Sequence, residues 1–356
     1  MNRTSPGRWP VAILGATGAV GQTFIRLLAK HPWFTVAEVA ASERSVGKTY
    51  AEATRWIEGE MPADIATRRV VACDPAAVTA PIVFSALDSS AAGTIEPAFA
   101  NAGRLVFSNA KNFRMADDVP LVIPEVNGDH LRLLDSQRTA RGWKGGIVTN
   151  ANCAATVAAV ALAPLHQAFG VKSVFIATMQ AVSGAGYPGV ASLDILGNVI
   201  PYISDEEGKI ESELPKMLGA LNGSRIVPAQ FTVSAHANRV AAEHGHTAVM
   251  SIAFEKRPTP EEATAAMRSW RGLADVRGLP SAPETPLFVD DAPDRPQPRR
   301  DVNRGGGMTV SVGRVRADTL FDIRLVALGH NTVRGAAGGS ILNAELLAVR
   351  GAIPAT

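Results

Sequence analysis

Apolar runs alternate with stretches of helical period over the first 150 residues. Pro10 to Leu14 reads as a strand, Val20 to Ala29 has helical spacing, and Thr35 to Ala41 reads as a second strand. Strand candidates follow at Ile82 to Leu87, Leu105 to Ser108 and Leu121 to Ile123, with an alanine-rich helix at Ala91 to Ala102. Strands and helices taking turns in this way predict a doubly wound parallel sheet. From residue 151 the texture changes. Ala154 to Phe169 is apolar on every side, as a buried helix requires. Longer strand segments then appear at Ser173 to Val182, His246 to Phe254, Met308 to Arg316 and Leu320 to Val326. They suit a largely antiparallel sheet with one covered face. Asp290 to Gly307, rich in Pro, Arg and Gly, is expected to be a surface loop with solvated arginines. The last helix, Thr332 to Val349, is apolar enough to pack back on the first domain. The expected α/β organisation is a first domain over 1–150, completed by a helix within 332–356, and an α+β domain over 151–331.

Composition changes this picture mainly by exclusion. The chain has 356 residues, 46% of them hydrophobic and 19% charged, which fits a globular protein with sizeable cores. Its 35 Lys and Arg offset 33 Asp and Glu to a net charge of +2, so nothing points to nucleic acid. The most apolar stretch, Cys153 to Leu165, is shorter than the roughly 20 residues a membrane span needs. Arg3 and Arg8 precede Val11 to Leu14, but that run breaks at Gly15, too soon for a secretory leader. Two cysteines, Cys73 and Cys153, cannot build a disulfide framework, and a reducing, cytoplasmic setting is expected.

Four motifs carry candidate chemistry. Gly15-Ala16-Thr17-Gly18-Ala19-Val20-Gly21 follows a strand and opens a helix. Glycines there let a pyrophosphate approach backbone N–H groups, so Gly15, Thr17, Gly18, Ala19 and Val20 are candidate cofactor contacts in a Rossmann-type domain. The spacing is G-x-x-G-x-x-G and departs from the strict dinucleotide fingerprint. No acid stands at the tip of the second strand; Ser42, Arg44 and Ser45 follow it, groups suited to a 2′-phosphate and hence to NADP, with Glu43 cutting the other way. Asn152-Cys153 lies between a strand and a long helix, where the helix N-terminus can lower a thiol from its usual pKa of about 8.5 and can hold an oxyanion. Asn238-Arg239 precedes Glu243-His244-Gly245-His246-Thr247, whose histidines titrate in the range a thioester chemistry needs. His-x-His lacks further ligands at a recognised metal spacing, so no metal is expected. Glu213 and Lys216 are three apart, neighbours on a helix and readable as a plain surface pair.

Together these segments resemble the aspartate-β-semialdehyde dehydrogenases of the archaeal and fungal branch. The likeness runs over nearly the whole chain. It is also carried by Ser108 to Met115, Val119 to Asn127, Gln180 to Gly189, Gly197 to Tyr202 and Gly329 to Gly338. The resemblance implies Cys153 as nucleophile with Asn152 beside it, Gln180 orienting the acyl intermediate, and His246, not His244, as acid/base. It implies Arg239 on the substrate carboxylate, Glu213 on its ammonium, and Arg114 and Lys216 on the phosphate. Ser183, Gly184 and Asn331 join the cofactor set.

The implied reaction is NADPH-dependent reduction of L-4-aspartyl phosphate to L-aspartate 4-semialdehyde through a Cys153 thioester, with release of phosphate. It would serve the biosynthesis of lysine, threonine, methionine and isoleucine, in a homodimer or homotetramer. Several positions depart from the family pattern: Ala151 for proline, Ala154 and Ala155 for Ser-Thr, Ala237 for cysteine, Ala241 for proline and Ala248 for glutamate. None removes a proposed catalytic group. Three other readings stay open: a malonyl-CoA reductase, an N-acetyl-glutamyl-phosphate reductase, and a silent NADP-binding regulator.

Overall fold

The computed structural model describes residues 8–353; Arg3 and the last residues of the 332–356 segment lie outside them. Two six-stranded sheets organise the chain. The first contains β1 (Trp9–Leu14), β2 (Phe34–Ala41), β3 (Val70–Ala72), β4 (Ile82–Ser85), β5 (Leu105–Ser108) and β6 (Gly146–Thr149) in the order β3-β2-β1-β4-β5-β6. Every pairing in it is parallel. The strand order reverses direction beside β1, which places a crevice at the carboxyl ends of the central strands.

Helix α1 (Ala19–Leu28) follows β1 through the glycine turn, and α2 (Ser89–Asn101) follows β4. Gly15 has φ +69°, and a Cβ there would stand 2.5 Å from the carbonyl oxygen of Ala86. The turn that joins β1 to α1 therefore accepts only glycine at this position.

The second sheet contains β7 (Val171–Gln180), β10 (Thr232–Arg239), β11 (His246–Phe254), β12 (Leu287–Asp290), β13 (Val310–Ala317) and β14 (Ile323–Gly329), in the order β10-β7-β11-β14-β13-β12. Its central pairings are antiparallel, and the two edge pairings, β10 with β7 and β12 with β13, are parallel. A separate hairpin joins β8 (Ala220–Asn222) to β9 (Arg225–Val227). Helix α3 (Leu133–Arg141) stays with the first sheet. The long helix α4 (Cys153–Phe169) shares a hydrophobic cluster with β7, β11, β13 and β14, and with α5 (Glu206–Met217) and α6 (Pro260–Ser269). The expected buried helix and its covered sheet face are thus present.

Several expected elements come out differently. Leu121 to Ile123 makes only an isolated bridge to Thr149. The Asn127 side chain supplies what a ladder would: its Oδ1 accepts from the Ile123 N–H at 2.8 Å and its Nδ2 donates to the Leu121 carbonyl at 2.8 Å. The Leu320 to Val326 strand starts at Ile323 because Asp318 holds a turn through the N–H of Leu320. The arginines of the 290–307 loop are not all solvated. Asp301, 2% exposed, is gripped by Arg295 and Arg304, and Arg304 lies 3.8 Å from the centre of the Phe288 ring.

The C-terminal segment opens with a π-helical turn over Val333–Ala337, with N–H donation from Gly335 to the His330 carbonyl and from Ala337 to that of Thr332. Helix α7 (Gly338–Val349) continues it, and Ile341, Leu342 and Leu346 share one cluster with Trp9, Phe24 and Phe84. Helix α7 thus packs on the first sheet. The turn before it reaches the other domain's start, since a Cβ on Gly335 would stand 2.5 Å from that of Cys153.

Candidate active site

The carboxyl ends of β1 to β4 open on a cleft of about 940 Å³. Gly15, Thr17, Gly18, Ala19 and Val20 line it, with Gly18 as the N-cap of α1 and no cap side chain occupying that helix's first N–H groups. This is an anion-binding arrangement. Ser42, Glu43 and Arg44 line the rim beyond β2. Ser45 is not among the lining residues; its N–H turns back to the Ser42 carbonyl at 2.8 Å. Cys73 lines this cleft too, and burial raises its thiol pKa.

A second cleft of about 420 Å³ continues the first, the two sharing Val20, Leu87, Asp88 and Gly186. Cys153 lines it, half-buried, together with Asn152, Arg114, Ser183, Gly184 and Asn331. Asn331 Nδ2 donates to Ser183 Oγ at 2.8 Å and its Oδ1 accepts from the Gly245 N–H at 2.9 Å. The loop before β11 is thereby tied to the turn after β7.

Asn152 caps α4. Its Oδ1 accepts from the N–H groups of Ala154 and Ala155, both at 3.0 Å. The alanines that replace Ser-Thr therefore do their local work through the backbone. The same bonds correct an expectation: those two N–H groups are already taken and do not stand ready for an oxyanion. The thiol also differs from expectation. Burial pushes Cys153 up to about 12, the Glu206 carboxylate pushes the same way, and Arg114 and Arg239 oppose them. Desolvation outweighs the helix N-terminus here.

His246, 1% exposed, accepts the Ala181 N–H on Nδ1 at 3.1 Å, and its Nε2 has no hydrogen-bond partner. Burial pushes it down to about 4. A neutral ring that accepts on Nδ1 carries its proton on Nε2. In the resting site His246 is a donor, and protonating it requires the Ala181 N–H to leave Nδ1. Arg239 holds the same turn, donating from Nη1 to the Ala181 carbonyl at 2.8 Å. Both side chains converge on Gly184, whose Cβ, if present, would stand 2.9 Å from Arg239 Nη1 and 3.1 Å from His246 Nε2. His244 instead bonds Ser183 Oγ at 3.1 Å.

Four of the charged residues of α5 form two Glu-x-x-Lys pairs. Glu206, buried, accepts from Asn152 Nδ2 at 2.9 and 3.0 Å, from Gln180 Nε2 at 3.0 Å and from Lys209 Nζ at 2.9 Å. Burial works against its charge, but Lys209 and the two amides prevail and hold its pKa below the ordinary value. Both Glu206 and Lys209 line the inner cleft. Sequence reading passed over them; the signal available was their position seven residues before Glu213 and Lys216, two helical turns along one face.

Glu213 and Lys216 are elsewhere. Glu213 accepts from Arg114 Nη1 at 3.0 Å and from the Asn152 N–H at 2.6 Å. Lys216 Nζ donates to the carbonyls of Arg114, Ala116 and Val119 at 2.7, 2.8 and 3.0 Å, and burial pushes it down to about 8. Neither is among the residues lining the cleft. They are no surface pair either, at 2% and 5% exposure.

Among the described residues, no group of three or more His, Cys, Asp or Glu is placed to hold a metal ion, and no helix is long and apolar enough to cross a membrane. A nucleotide-sized cleft running into a pocket with a cysteine at a helix start is a layout that suits a nicotinamide-linked dehydrogenase. Two family descriptions match the chain: "Semialdehyde dehydrogenase, NAD binding domain" over residues 10–134 and "Semialdehyde dehydrogenase, dimerisation domain" over 162–334.

An aspartate-semialdehyde dehydrogenase of Archaeoglobus fulgidus is 52% identical over 341 residues, 96% of this chain and 98% of its own. That of Schizosaccharomyces pombe is 48% identical over 351 residues, 96% and 98% of the two chains. The crystal structure of aspartate semialdehyde dehydrogenase with NADP from Candida albicans matches with a TM-score of 0.89 at 41% identity, covering 97% of this chain and 99% of that one. The chain belongs to the aspartate-semialdehyde dehydrogenase family.

Proposed function

We propose that this chain reduces L-4-aspartyl phosphate to L-aspartate 4-semialdehyde with NADPH through a thioester on Cys153. The observation that carries the reading is the continuity of the two clefts, which brings the glycine turn and Cys153 onto one path. The open helix start of α1 and the Ser42–Arg44 rim fit NADP. When bound, the cofactor supplies the hydride.

The residues divide the remaining work. The Cys153 sulfur forms a bond to the acyl carbon, the carbon–oxygen bond to phosphate breaks, and the thiol proton leaves with inorganic phosphate. After hydride and proton reduce the thioester, the carbon–sulfur bond breaks, releasing the aldehyde and returning the thiol. His246 offers its Nε2–H to the oxygen on which charge develops. Arg239 suits the substrate carboxylate, for which a planar guanidinium is matched in shape. Asn152 and Gln180, fixed by Glu206, position the acyl group. The match to a dimerisation domain supports a homo-oligomer, and the exposed Met179 and Val249 on the outer face of β7 and β11 mark a surface such pairing would cover.

Run in reverse with semialdehyde and NADP but no phosphate, the enzyme is expected to give a burst of NADPH near one per active site and then stall. Phosphate or arsenate should restore turnover. If coenzyme A relieves the stall and phosphate does not, the phosphorylating reading is wrong and the malonyl-CoA reductase reading replaces it. NADP should also be preferred over NAD, with Arg44→Ala narrowing the ratio of kcat/KM values. Equal efficiency with NAD in the unmodified enzyme would refute the role of the β2 rim.

A further inference from the structure

The turn after β7 and the loop before β11 meet in one small polar cluster whose hydrogen-bond directions are fixed. The Gly245 N–H can only donate, so the Asn331 amide turns its oxygen to it, at 2.9 Å. The amide nitrogen is thereby turned to Ser183 and donates to its Oγ at 2.8 Å. The backbones are tied as well: Val182 and Ser183 donate to the carbonyls of Ala242 and Glu243 at 2.8 and 3.2 Å.

His244 completes the cluster without being among the residues that line either cleft. Its ring stacks on His330, with centres 5.0 Å apart and planes at 29°, and its Nδ1 stands 3.1 Å from Ser183 Oγ. The Glu243 carboxylate lies 3.7 Å from Nε2 and draws the ring proton to that side. Nδ1 is left to accept, and the Ser183 hydroxyl donates to it. A hydroxyl has one hydrogen and two lone pairs. In Ser183 the hydrogen is spent on His244 and one lone pair on Asn331, so the capacity left for the cleft is a single lone pair. Asn331 has two N–H groups on its amide, and one is spent on Ser183.

We propose that His244 is a positioning residue that sets the polarity of Ser183, so that Ser183 and Asn331 offer an acceptor and a donor side by side to the carboxamide of the nicotinamide ring. The inference deepens the NADP reading given above and rests on it. A primary carboxamide carries the matching pair, an N–H and a C=O. Ser183 and Asn331 both line the cleft that holds Cys153, and Gly186, three residues beyond Ser183, lines both clefts. A ring that passes from the cofactor cleft toward Cys153 therefore comes to this pair. Without an acceptor at position 244 the Ser183 hydroxyl can swing its hydrogen to the cleft, where it would face an N–H that also donates.

Equilibrium titration of the full chain with NADP and with its 3-acetylpyridine analogue reads this polarity without turnover. The analogue keeps the C=O and has a methyl group where the carboxamide has its NH2. The unmodified protein is expected to bind NADP about tenfold more tightly, because the analogue leaves the Ser183 lone pair unsatisfied. His244→Leu should bring the two affinities within about twofold of each other, since the freed hydroxyl can donate to the analogue's C=O. His244→Asn, whose Oδ1 can accept in place of Nδ1, should keep the preference.

A His244→Leu protein that keeps the full preference overturns the proposal, and so does an unmodified protein that does not distinguish the two dinucleotides. Ser183→Ala gives a second reading should His244→Leu not fold: it is expected to lose the preference, and retention there overturns the proposal too. Failure of the unmodified protein to bind either dinucleotide is a different outcome, and refutes the NADP reading instead.

Discussion

Replacing Cys153 with alanine is expected to lower turnover by at least about four orders of magnitude while NADP binding stays within a few-fold. The thiol is the only cysteine on the inner cleft, and the cofactor cleft is built from β1 to β4, outside its reach. Stopped-flow turnover together with cofactor titration measures both halves. Near-normal turnover in Cys153→Ala would end the covalent mechanism.

The same residue makes a second demand, on pH. With the thiol pushed up to about 12 by burial and by Glu206, the thiolate of the ligand-free enzyme is scarce at neutral pH. Its alkylation rate should keep rising about tenfold per pH unit from 7 to 10. A plateau near pH 8 would mean that the helix N-terminus had prevailed after all. Glu206→Gln removes the carboxylate that opposes the thiolate, so its profile should move to lower pH.

Much of this was legible in the chain, because strong local rules coincide with tertiary demands there. The turn from Gly15 to Gly21 follows an apolar strand and opens a helix, and it lines the large cleft as expected. Cys153 was legible as a helix start, since Asn152 is a strong N-cap residue and alanines follow. The short strand Val70–Ala72 was missed, since three residues carry no period, and Gly146–Thr149 was read only as an undelimited strand before Asn152. The edge strand Thr232–Arg239, with His236 and Asn238 in it, reads as polar because its neighbours cover it on one side only.

Which of the two Glu-x-x-Lys pairs lines the cleft could not be read from their identical spacing. Only the carbonyls of Arg114, Ala116 and Val119, about a hundred residues away in the chain, show that Lys216 is bound inside the protein. The pKa of Cys153 was misread for a related reason. A helix N-terminus is visible in sequence, whereas the desolvation that overrides it depends on packing.

The motif from Gly329 to Gly338 also gains a physical reason, and with it the second large effect. Arg334, 1% exposed, forms a bidentate pair with Glu125 at 2.6 and 2.9 Å. It joins the π-helical turn to the segment after β5, two stretches some two hundred residues apart. Arg334→Ala leaves a buried carboxylate without its cation, which costs about 3–5 kcal/mol when a buried pair is broken. Denaturant unfolding should show that loss. Arg334→Met combined with Glu125→Leu should recover most of it, because two apolar side chains leave no buried charge behind. A loss below about 1 kcal/mol in the single variant would mean that water reaches Glu125 and that the pair is not the lock it resembles. Turnover adds an independent readout. Gly335 packs on Cys153 and its carbonyl accepts from Asn150 Nδ2 at 3.0 Å. Loosening this turn should therefore depress kcat in Arg334→Ala under conditions where the protein is still folded, and the double variant should regain stability before it regains rate.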